Sequence, residues 1–199
     1  MTVKLVGSTS GSVSLQAPAS TSGGAHRVIT LPDAADGTIL TTTSPKAGNI
    51  LQVVSTTKNS ASSSSSSSFA DISGMSVTIT PSSATSKIYL TGYFCLSIND
   101  ARFRIYLKIL GGNCSSYIGA TATGFECANV VRLSTQNVGD HQQSATLMYL
   151  DSPATTSAIT YQPQWAVQSS QTAYLNKDHN NDSDAARTCS TFTAMEVAA

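Results

Sequence analysis

The chain has 199 residues, a formal net charge of zero at pH 7 and only 11% charged residues, against about 25% in an average soluble domain. A neutral chain has no electrostatic footprint for nucleic acid or for an anionic membrane. The shortage of charge argues against a helical protein, whose exposed faces are normally rich in Lys and Glu, while 40% hydrophobic residues argue against disorder. The composition therefore predicts a β-rich globular protein that binds no nucleic acid and inserts into no membrane.

The N-terminal sequence "MTVKLVGSTSGSV" lacks the apolar segment of a signal peptide, and no apolar run approaches the length of a membrane span. We therefore expect the protein to be synthesised and folded in a cytoplasm. Thiols stay reduced in that compartment, so the cysteines are expected to be unpaired and mostly buried. They are Cys95, Cys114, Cys127 and Cys189.

Residues 1–46 are predicted to form a short, extended, β-prone arm. Its strand candidates are "GSVSLQAPAS", "HRVITLPDAADGT" and "GTILTTTS". The segment has too few large apolar residues to build a core of its own. It must therefore bury them against another chain, either a second copy or a partner. The candidate interface residues of this arm are Val13, Leu15, Val28 and Leu31.

Seven consecutive serines, Ser62 to Ser68, would usually mark a flexible tether between domains. The preceding stretch, "NILQVVSTTK", carries more apolar residues than any comparable part of the arm and needs the core of the following domain. We therefore predict that the serines form a loop inside a head domain that spans residues 47–199. The boundary is placed at "SPKAG", residues 44–48, where Pro and Gly punctuate the chain.

In the head, apolar residues recur at every second position, as in half-buried strands. In "SKIYLTGYFCLSI" the predicted core face holds Ile88, Leu90, Phe94, Leu96 and Ile98, and the opposite face holds Tyr89, Tyr93 and Cys95. The stretch "RFRIYLKIL" places Phe103, Ile105, Leu107 and Ile109 on one face. About eight to ten such strands, separated by turn signals, predict an all-β head that is a β-sandwich or jelly-roll-like fold.

The strand "ITYQPQWAVQ" contains a proline at position 163. Proline has no N–H to donate to a neighbouring strand, so within sheets it is found on edge strands or at bulges. We therefore predict that this strand lies at the edge of its sheet or carries a bulge.

Three tyrosines of the head, Tyr89, Tyr93 and Tyr106, are predicted to point away from the core. Exposed aromatic residues occur both in subunit interfaces and in ligand-binding surfaces. We name these tyrosines as candidate interface residues and keep a ligand platform as the alternative.

The residues that most enzymes need are scarce or scattered. His26, His141 and His179 lie in no H-E-x-x-H motif, and no phosphate-binding glycine loop occurs. Glutamate occurs only at Glu126 and Glu196, so no carboxylate pair for glycoside cleavage stands out. We therefore predict a protein that is not an enzyme and that has no catalytic residue and no cofactor.

The most polar stretch, "NKDHNNDSDAAR" at residues 176–187, is the candidate binding loop. Its candidate residues are Lys177, Asp178, His179, Asn180, Asn181, Asp182 and Asp184. Alternating Asp and Asn can supply oxygen ligands to Ca²⁺, but Ser183 and Cys189 replace the Gly and Glu that an EF-hand loop requires. We therefore favour a solvated hairpin loop without a metal, and keep an ion, a glycan or a protein contact as alternatives.

Several segments resemble structural proteins of marine and cyanobacterial phages. The stretch "GSVSLQAPAS…HRVITLPDAADGTILTT" resembles their N-terminal motif, G-S-V-x-L-x-A-P followed by V-x-L-P-x-A-D-G-x-x-L-x-T. The segments that are similar to their head domain are "GNILQVVSTTK", "ADISGMSVTITPSSATSKIYL", "LDSPATTSAITYQ" and "ARTCSTFTAMEVAA". The resemblance covers nearly the whole chain and keeps the order of the segments.

Such proteins are described as tail-fibre or virion structural proteins. The resemblance implies a compact β-sandwich head, akin to the jelly roll of complement-C1q and tumour-necrosis-factor heads, that assembles as a homotrimer. It also implies a place on the virion surface after synthesis in the host cytoplasm. The implied partners are further copies of the chain, another virion protein (a tail adaptor or the major capsid protein) and a host surface glycan.

Two features depart from this pattern. The polyserine run replaces a more varied polar loop, and the chain has no long shaft, which argues against a long tail fibre. We therefore expect a short tail fibre that binds a receptor, with the arm docked on the virion. The alternative is a capsid decoration or cement protein whose arm clamps capsid subunits. A virion-borne glycan-binding or glycan-cleaving protein is a third possibility.

Overall fold

The structure is a computed structural model, and it describes residues 2–6, 12–16, 45–100, 103–114, 129–131, 142–179 and 187–199. The chain divides into two compact units, residues 1–40 and residues 41–199. The functional boundary predicted after residue 46 stays a prediction. Within the described ranges, no helix has the length and hydrophobicity that crossing a membrane requires.

The first unit contains an antiparallel hairpin formed by β1 (Thr2–Val6) and β2 (Ser12–Gln16). Residues that are directly paired across two strands lie on the same face of the sheet. The register therefore places four apolar residues on one face. These residues are Val3, Leu5, Val13 and Leu15. A two-stranded hairpin is at best marginally stable alone in water, so this face gains stability from any apolar partner.

The second unit is an all-β sandwich of antiparallel sheets, which confirms the predicted fold class. Its strands are β3 (Ile50–Lys58), β4 (Ser62–Ser64), β5 (Ala70–Asp71), β6 (Val77–Ile79), β7 (Lys87–Ile98), β8 (Ile105–Leu110), β9 (Asn129–Val131), β10 (Gln143–Asp151), β11 (Ile159–Val167), β12 (Ala173–Leu175) and β13 (Ser190–Val197). The first sheet has the order β3–β13–β7–β12–β4, and β10 lies on the other side of β7. The second sheet has the order β5–β11–β8–β9, and β6 also pairs with β11.

The core lies between the two sheets and consists of alternate residues of their strands. The predicted core face of β7 is confirmed, because none of its five apolar residues is more than 1% exposed. The second sheet contributes Ile105, Leu107, Ile109, Tyr161 and Trp165 to the same cluster. Burying one such side chain contributes about 1.5–3 kcal/mol, so this layer is the main source of the stability of the sandwich.

A glycine in β7 makes room for two aromatic rings of the core. A Cβ atom at Gly92 would lie 2.5 Å from Cε2 of Phe94 and 3.1 Å from Cδ2 of Phe192. Both rings are fully buried, so neither can move aside without disturbing its neighbours. Close packing of the rings therefore requires the absence of a side chain at this position.

The serine run lies in the second unit, and it is not a plain loop. Ser62–Ser64 form β4, which pairs with β12 at the edge of the first sheet. Beyond β4, Oγ of Ser64 accepts a hydrogen bond from the Ser66 amide at 3.2 Å, and the Ser66 carbonyl accepts one from the Val167 amide at 2.9 Å. The predicted loop is wrong for Ser62–Ser64, because β12 offers backbone partners to this segment. Ser65 to Ser68 lie outside the strands, and their short hydroxyl side chains satisfy the turn.

Pro163 lies inside the second sheet, so the predicted edge position of β11 is wrong. The alternative prediction, a bulge, does not hold for β11 itself, whose register with β8 is regular; the irregularity lies in the partner chain, between β5 and β6. β11 pairs with β8 on one side and with β5 and β6 on the other. Opposite Pro163 the chain turns away from β11 between β5 and β6, and the Pro163 carbonyl accepts a hydrogen bond from the Ile72 amide at 2.9 Å. The Gln162 side chain closes this gap, since its Nε2 donates to the Ile72 carbonyl at 3.1 Å. An internal strand tolerates the proline because the missing N–H faces an interruption of the partner chain.

Candidate functional site

The candidate binding loop, here called the polar hairpin (residues 176–187), leaves the first sheet between β12 and β13. An isolated antiparallel bridge between Lys177 and Arg187 closes its base. The base holds three of the predicted binding residues, which are all half-buried: Lys177, Asp178 and His179. The other four, Asn180, Asn181, Asp182 and Asp184, lie outside the described residues.

Asn176 anchors the polar hairpin to the sandwich. Its φ of 61° lies in the left-handed region, which asparagine tolerates better than most residues. Its side chain is fully buried: Nδ2 donates to the Lys58 carbonyl at 2.7 Å, and Oδ1 accepts from the Ser190 hydroxyl at 2.6 Å. The Asn176 amide also donates to the Cys95 carbonyl at 2.9 Å. Asn176 was not among the predicted site residues, although an asparagine stands directly after the strand "TAYL".

Lys177 at the base of the polar hairpin, together with Gln142 and Thr188, covers one end of the outer face of the first sheet. The Ser97 hydroxyl donates to the Lys177 carbonyl at 2.8 Å. The Cys95 thiol and the Thr188 hydroxyl both donate to Oε1 of Gln142, at 3.1 Å and 3.2 Å. Ser97 and Cys95 are therefore buried although they face away from the core. This cover explains why the face opposite the core in β7 is rich in apolar and small residues.

The base of the polar hairpin offers mixed chemistry to a ligand. Nζ of Lys177 lies 4.7 Å from the centroid of the Tyr174 ring, a cation–π arrangement. Asp178 and His179 follow directly, so an anion-binding, a cation-binding and a hydrogen-bonding group lie within a few residues. Within the part of the chain that the structure describes, no group of three or more His, Cys, Asp or Glu side chains is placed to hold a metal ion.

Beyond the covered end at Cys95 and Ser97, the outer face of the first sheet is exposed and apolar. The most exposed large side chains on it are Met148 at 66%, Ile50 at 58%, Val53 at 55%, Leu150 at 48% and Tyr93 at 45%. Together with the outward-facing Tyr89, Met195 and Val197, they form what we call the apolar outer face. It extends over four adjacent strands, β10, β7, β13 and β3.

The register shows how the apolar outer face is built. Leu150 pairs with Tyr89, Tyr89 pairs with Met195, and Met195 pairs with Val53, so these four residues form one continuous row across the sheet. Two of the predicted interface tyrosines, Tyr89 and Tyr93, therefore share this face. Tyr106 does not, because it lies on β8 of the second sheet.

The other predicted interface residues belong to the first unit. Val13 and Leu15 lie on the apolar face of the β1–β2 hairpin. Val28 and Leu31 lie outside the described residues. Met148, Leu150 and Met195 were not among the predicted interface residues, although "ATLMYL" and "TAMEV" place each of them at positions that alternate with core residues.

Glu196 of β13 is a fully buried carboxylate. Its Oε1 accepts hydrogen bonds from the Ser82 amide at 2.7 Å and the Ser82 hydroxyl at 2.6 Å, and its Oε2 accepts one from Nε2 of Gln52 at 2.6 Å. Burial alone would raise the pKa of Glu196, but the hydrogen bonds from Ser82, Gln52 and Ser86 outweigh it and hold the pKa below its ordinary value. The ionised carboxylate therefore joins β13 to β3 and to the turn before β7.

Asp151 is fully buried at the end of β10. Its Oδ2 accepts hydrogen bonds from the Tyr161 hydroxyl at 2.7 Å and the Asn113 amide at 3.2 Å. Burial and the nearby Asp151 charge raise the pKa of the Cys114 thiol to about 12. Burial and the hydrogen bond to Asp151 likewise raise the pKa of Tyr161. A thiol with so high a pKa is a poor nucleophile. The role of this cluster is structural, since its hydrogen bonds connect β10, β11 and the turn after β8.

No known protein family matches the sequence. No curated protein matches it either. A solved structure described as "Structure of infectious bursal disease virus Gx strain" is similar over 95% of this chain and 43% of that chain, at 13% sequence identity and a TM-score of 0.33. This chain thus spans less than half of that protein's chain, and a likeness at this TM-score supports no conclusion about fold or function.

Proposed function

We propose that the chain is a non-enzymatic structural protein of a bacteriophage virion, a short trimeric tail fibre that binds the host receptor. The observation that carries this proposal is the contrast between the two units. In the described residues, the second unit has a core of buried apolar side chains, whereas the first unit contributes a two-stranded hairpin with one apolar face. Such a hairpin needs a partner for stability, and docking on a larger assembly supplies one.

The sequence supports the identification of this assembly as a virion. The phage-like motifs occur in both units and in the same order as in phage structural proteins, so they point to one protein architecture rather than to a single borrowed domain. In this proposal the chain is made in the host cytoplasm and displayed on the virion surface. Its partners are its own copies and a virion protein, either the tail adaptor or the major capsid protein.

The polar hairpin is the proposed contact with the host surface. A glycan is bound through hydrogen bonds to its hydroxyl groups and through stacking on aromatic rings, and the base of the polar hairpin has both kinds of group in Lys177, Asp178 and Tyr174. Asn176 and Ser190 fix the base to the core, which limits the entropy that is lost when a ligand binds.

The docking role of the hairpin can be tested with one pair of matched variants. Leu15→Lys places a charge on the apolar face of the hairpin, while Ser14→Lys places the same charge on the opposite face of the same strand. We expect Leu15→Lys to lower the amount of protein in purified particles at least tenfold and Ser14→Lys to leave it unchanged. Equal incorporation of the two variants would show that the apolar face does not dock.

Deletion of residues 1–46 gives a second test of the same step. The truncated chain keeps both sheets of the sandwich and its core, so we expect a folded, soluble head that no longer joins particles. Circular dichroism checks the fold and immunoblotting of purified particles checks incorporation. Normal incorporation of the truncated head would disprove the docking role of the arm.

A capsid decoration or cement protein is the second candidate. It is favoured by the shortness of the chain, which has 199 residues. In that case the arm clamps neighbouring capsid subunits and the head covers the capsid surface. The location of the protein on the particle separates the two candidates.

A further inference from the structure

The exposed apolar side chains of the second unit are concentrated on one surface. Six large hydrophobic residues are exposed in the described part of the chain, and five of them lie on the apolar outer face. The sixth, Leu110, lies at the end of β8 in the other sheet. Single exposed apolar residues are normal on protein surfaces, whereas a contiguous patch marks an interaction site. The apolar outer face is therefore a candidate interface rather than ordinary surface.

The charge of this face indicates what covers it. The outward positions of β3, β7, β10 and β13 carry one charged residue, Lys87, at the very start of β7. The centres of obligate protein interfaces are likewise depleted of charge and enriched in Met and aromatic residues. A partner with a charged surface would have to bury its charges against this face without compensation. A second copy of the chain brings an equally uncharged face.

The residues that surround the apolar row are suited to the same contact. Apart from Lys87, which pairs with Val197, they include neutral hydroxyl residues such as Ser55 and Thr193, whose hydroxyls are 2.8 Å apart. Thr91 pairs with both Met148 and Thr193 across the neighbouring strands. Small hydroxyl groups can exchange hydrogen bonds with a copy of the same surface and introduce no like-charge repulsion. The face thus has an apolar centre and a neutral polar surround.

We infer that the apolar outer face packs against neighbouring copies of this chain around the symmetry axis of the trimer and forms its subunit contact. The inference rests on the self-association within the proposed function, and it assigns a surface to that association. It places Tyr89, Tyr93, Met148, Leu150 and Val53 at the contact. It leaves Tyr106 and the second sheet outside it.

The test uses three single variants of the full chain: Met148→Glu, Leu150→Glu and, as the matched control, Leu110→Glu. Each replaces an exposed apolar residue, with 66%, 48% and 43% of its surface accessible, by the same charged residue. We expect the wild-type chain and Leu110→Glu to be oligomers by native mass spectrometry, and Met148→Glu and Leu150→Glu to be monomers with unchanged circular dichroism.

Peroxide oxidation of the wild-type chain gives a second measurement that needs no substitution. In the oligomer, Met148 should oxidise at least tenfold more slowly than after dilution to the monomer, while the fully buried Met75 should be unreactive in both states. Charged variants that remain oligomers, or a Met148 that reacts equally fast in both states, would overturn the assigned surface and leave self-association intact. A wild-type chain that is monomeric at every concentration would instead overturn self-association itself.

Discussion

Glu196 shows at the scale of a single residue how this low-charge protein uses its few carboxylates. The side chain has no exposed surface, and three donor groups of Ser82 and Gln52 surround its oxygens at 2.6–2.7 Å. A buried carboxylate without such donors would be protonated or would destabilise the fold by several kcal/mol. Glu196 therefore links neighbouring strands. Glutamate is scarce in the sequence because Ser and Thr, rather than charged residues, form much of the polar surface.

We expect Glu196→Gln to lower the free energy of unfolding at neutral pH by about 1–3 kcal/mol, because its amide group places donors against the donors of Ser82 and Gln52. The pKa of Glu196 is lower in the folded chain than its ordinary value of 4.5, so its stabilising effect is complete above that value and is lost as the pH falls through the folded pKa. The difference between wild type and variant should therefore be constant above about pH 6 and shrink in acid. Urea denaturation at several pH values measures it.

Asp71→Asn is the matched control, because Asp71 is an exposed carboxylate that accepts one hydrogen bond from Gln164. It should change the free energy of unfolding by no more than about 0.5 kcal/mol. If Glu196→Gln lowers the free energy of unfolding no more than this control does, or if the loss becomes larger in acid, the structural role assigned to Glu196 is wrong.

The cysteines should differ sharply in reactivity. Cys114 is fully buried with a pKa raised to about 12, whereas Cys189 is exposed. Because the thiolate is the reactive form, we expect iodoacetamide at pH 8 to alkylate Cys189 in the native protein and Cys114 only after unfolding in urea. Peptide mass spectrometry identifies the labelled residue. Alkylation of native Cys114 at the rate of Cys189 would contradict the burial and the raised pKa.

At the scale of strands, the alternation of apolar and polar residues was sufficient to predict a strand wherever one face is buried and the other is not. Ile105, Leu107 and Ile109 alternate with polar residues, and the structure buries all three as predicted. The alternation could not predict β4, since a run of identical serines shows no alternation of apolar and polar residues. It forms a strand only because β12 lies beside it. The alternation was also insufficient for Pro163, whose tolerance depends on a gap in a neighbouring strand that is distant in sequence.

Lengthening the serine run tests whether it is part of the head. Both ends of the run are held by the sandwich, through β4 and through the Val167 amide. We therefore expect that doubling the run of seven serines by insertion after Ser68 leaves the maximum dimension of the chain in small-angle X-ray scattering unchanged. The same insertion between Ser44 and Pro45, at the predicted boundary, should increase it. Equal increases would restore the interpretation of the run as a tether.

At the scale of the whole molecule, the sequence was informative about architecture and less so about sites. Low charge and alternation predicted an all-β sandwich, and a core-poor N-terminal segment predicted an arm that needs a partner. The apolar outer face could not be predicted, because Leu150, Tyr89, Met195 and Val53 come from four strands whose order and register the sequence does not contain. Nor does the sequence show which groups the buried Asn176 side chain contacts, namely the Lys58 carbonyl and the Ser190 hydroxyl.

The central claim is that this chain is a surface component of a virion, attached by its arm and displaying its head. Gold-labelled antibody against the head, applied to intact purified particles and imaged by electron microscopy, tests it most directly. The account predicts label at the tail of the particles. Label spread around the capsid would contradict the tail-fibre assignment in favour of the decoration protein, and particles without label would contradict the claim as a whole.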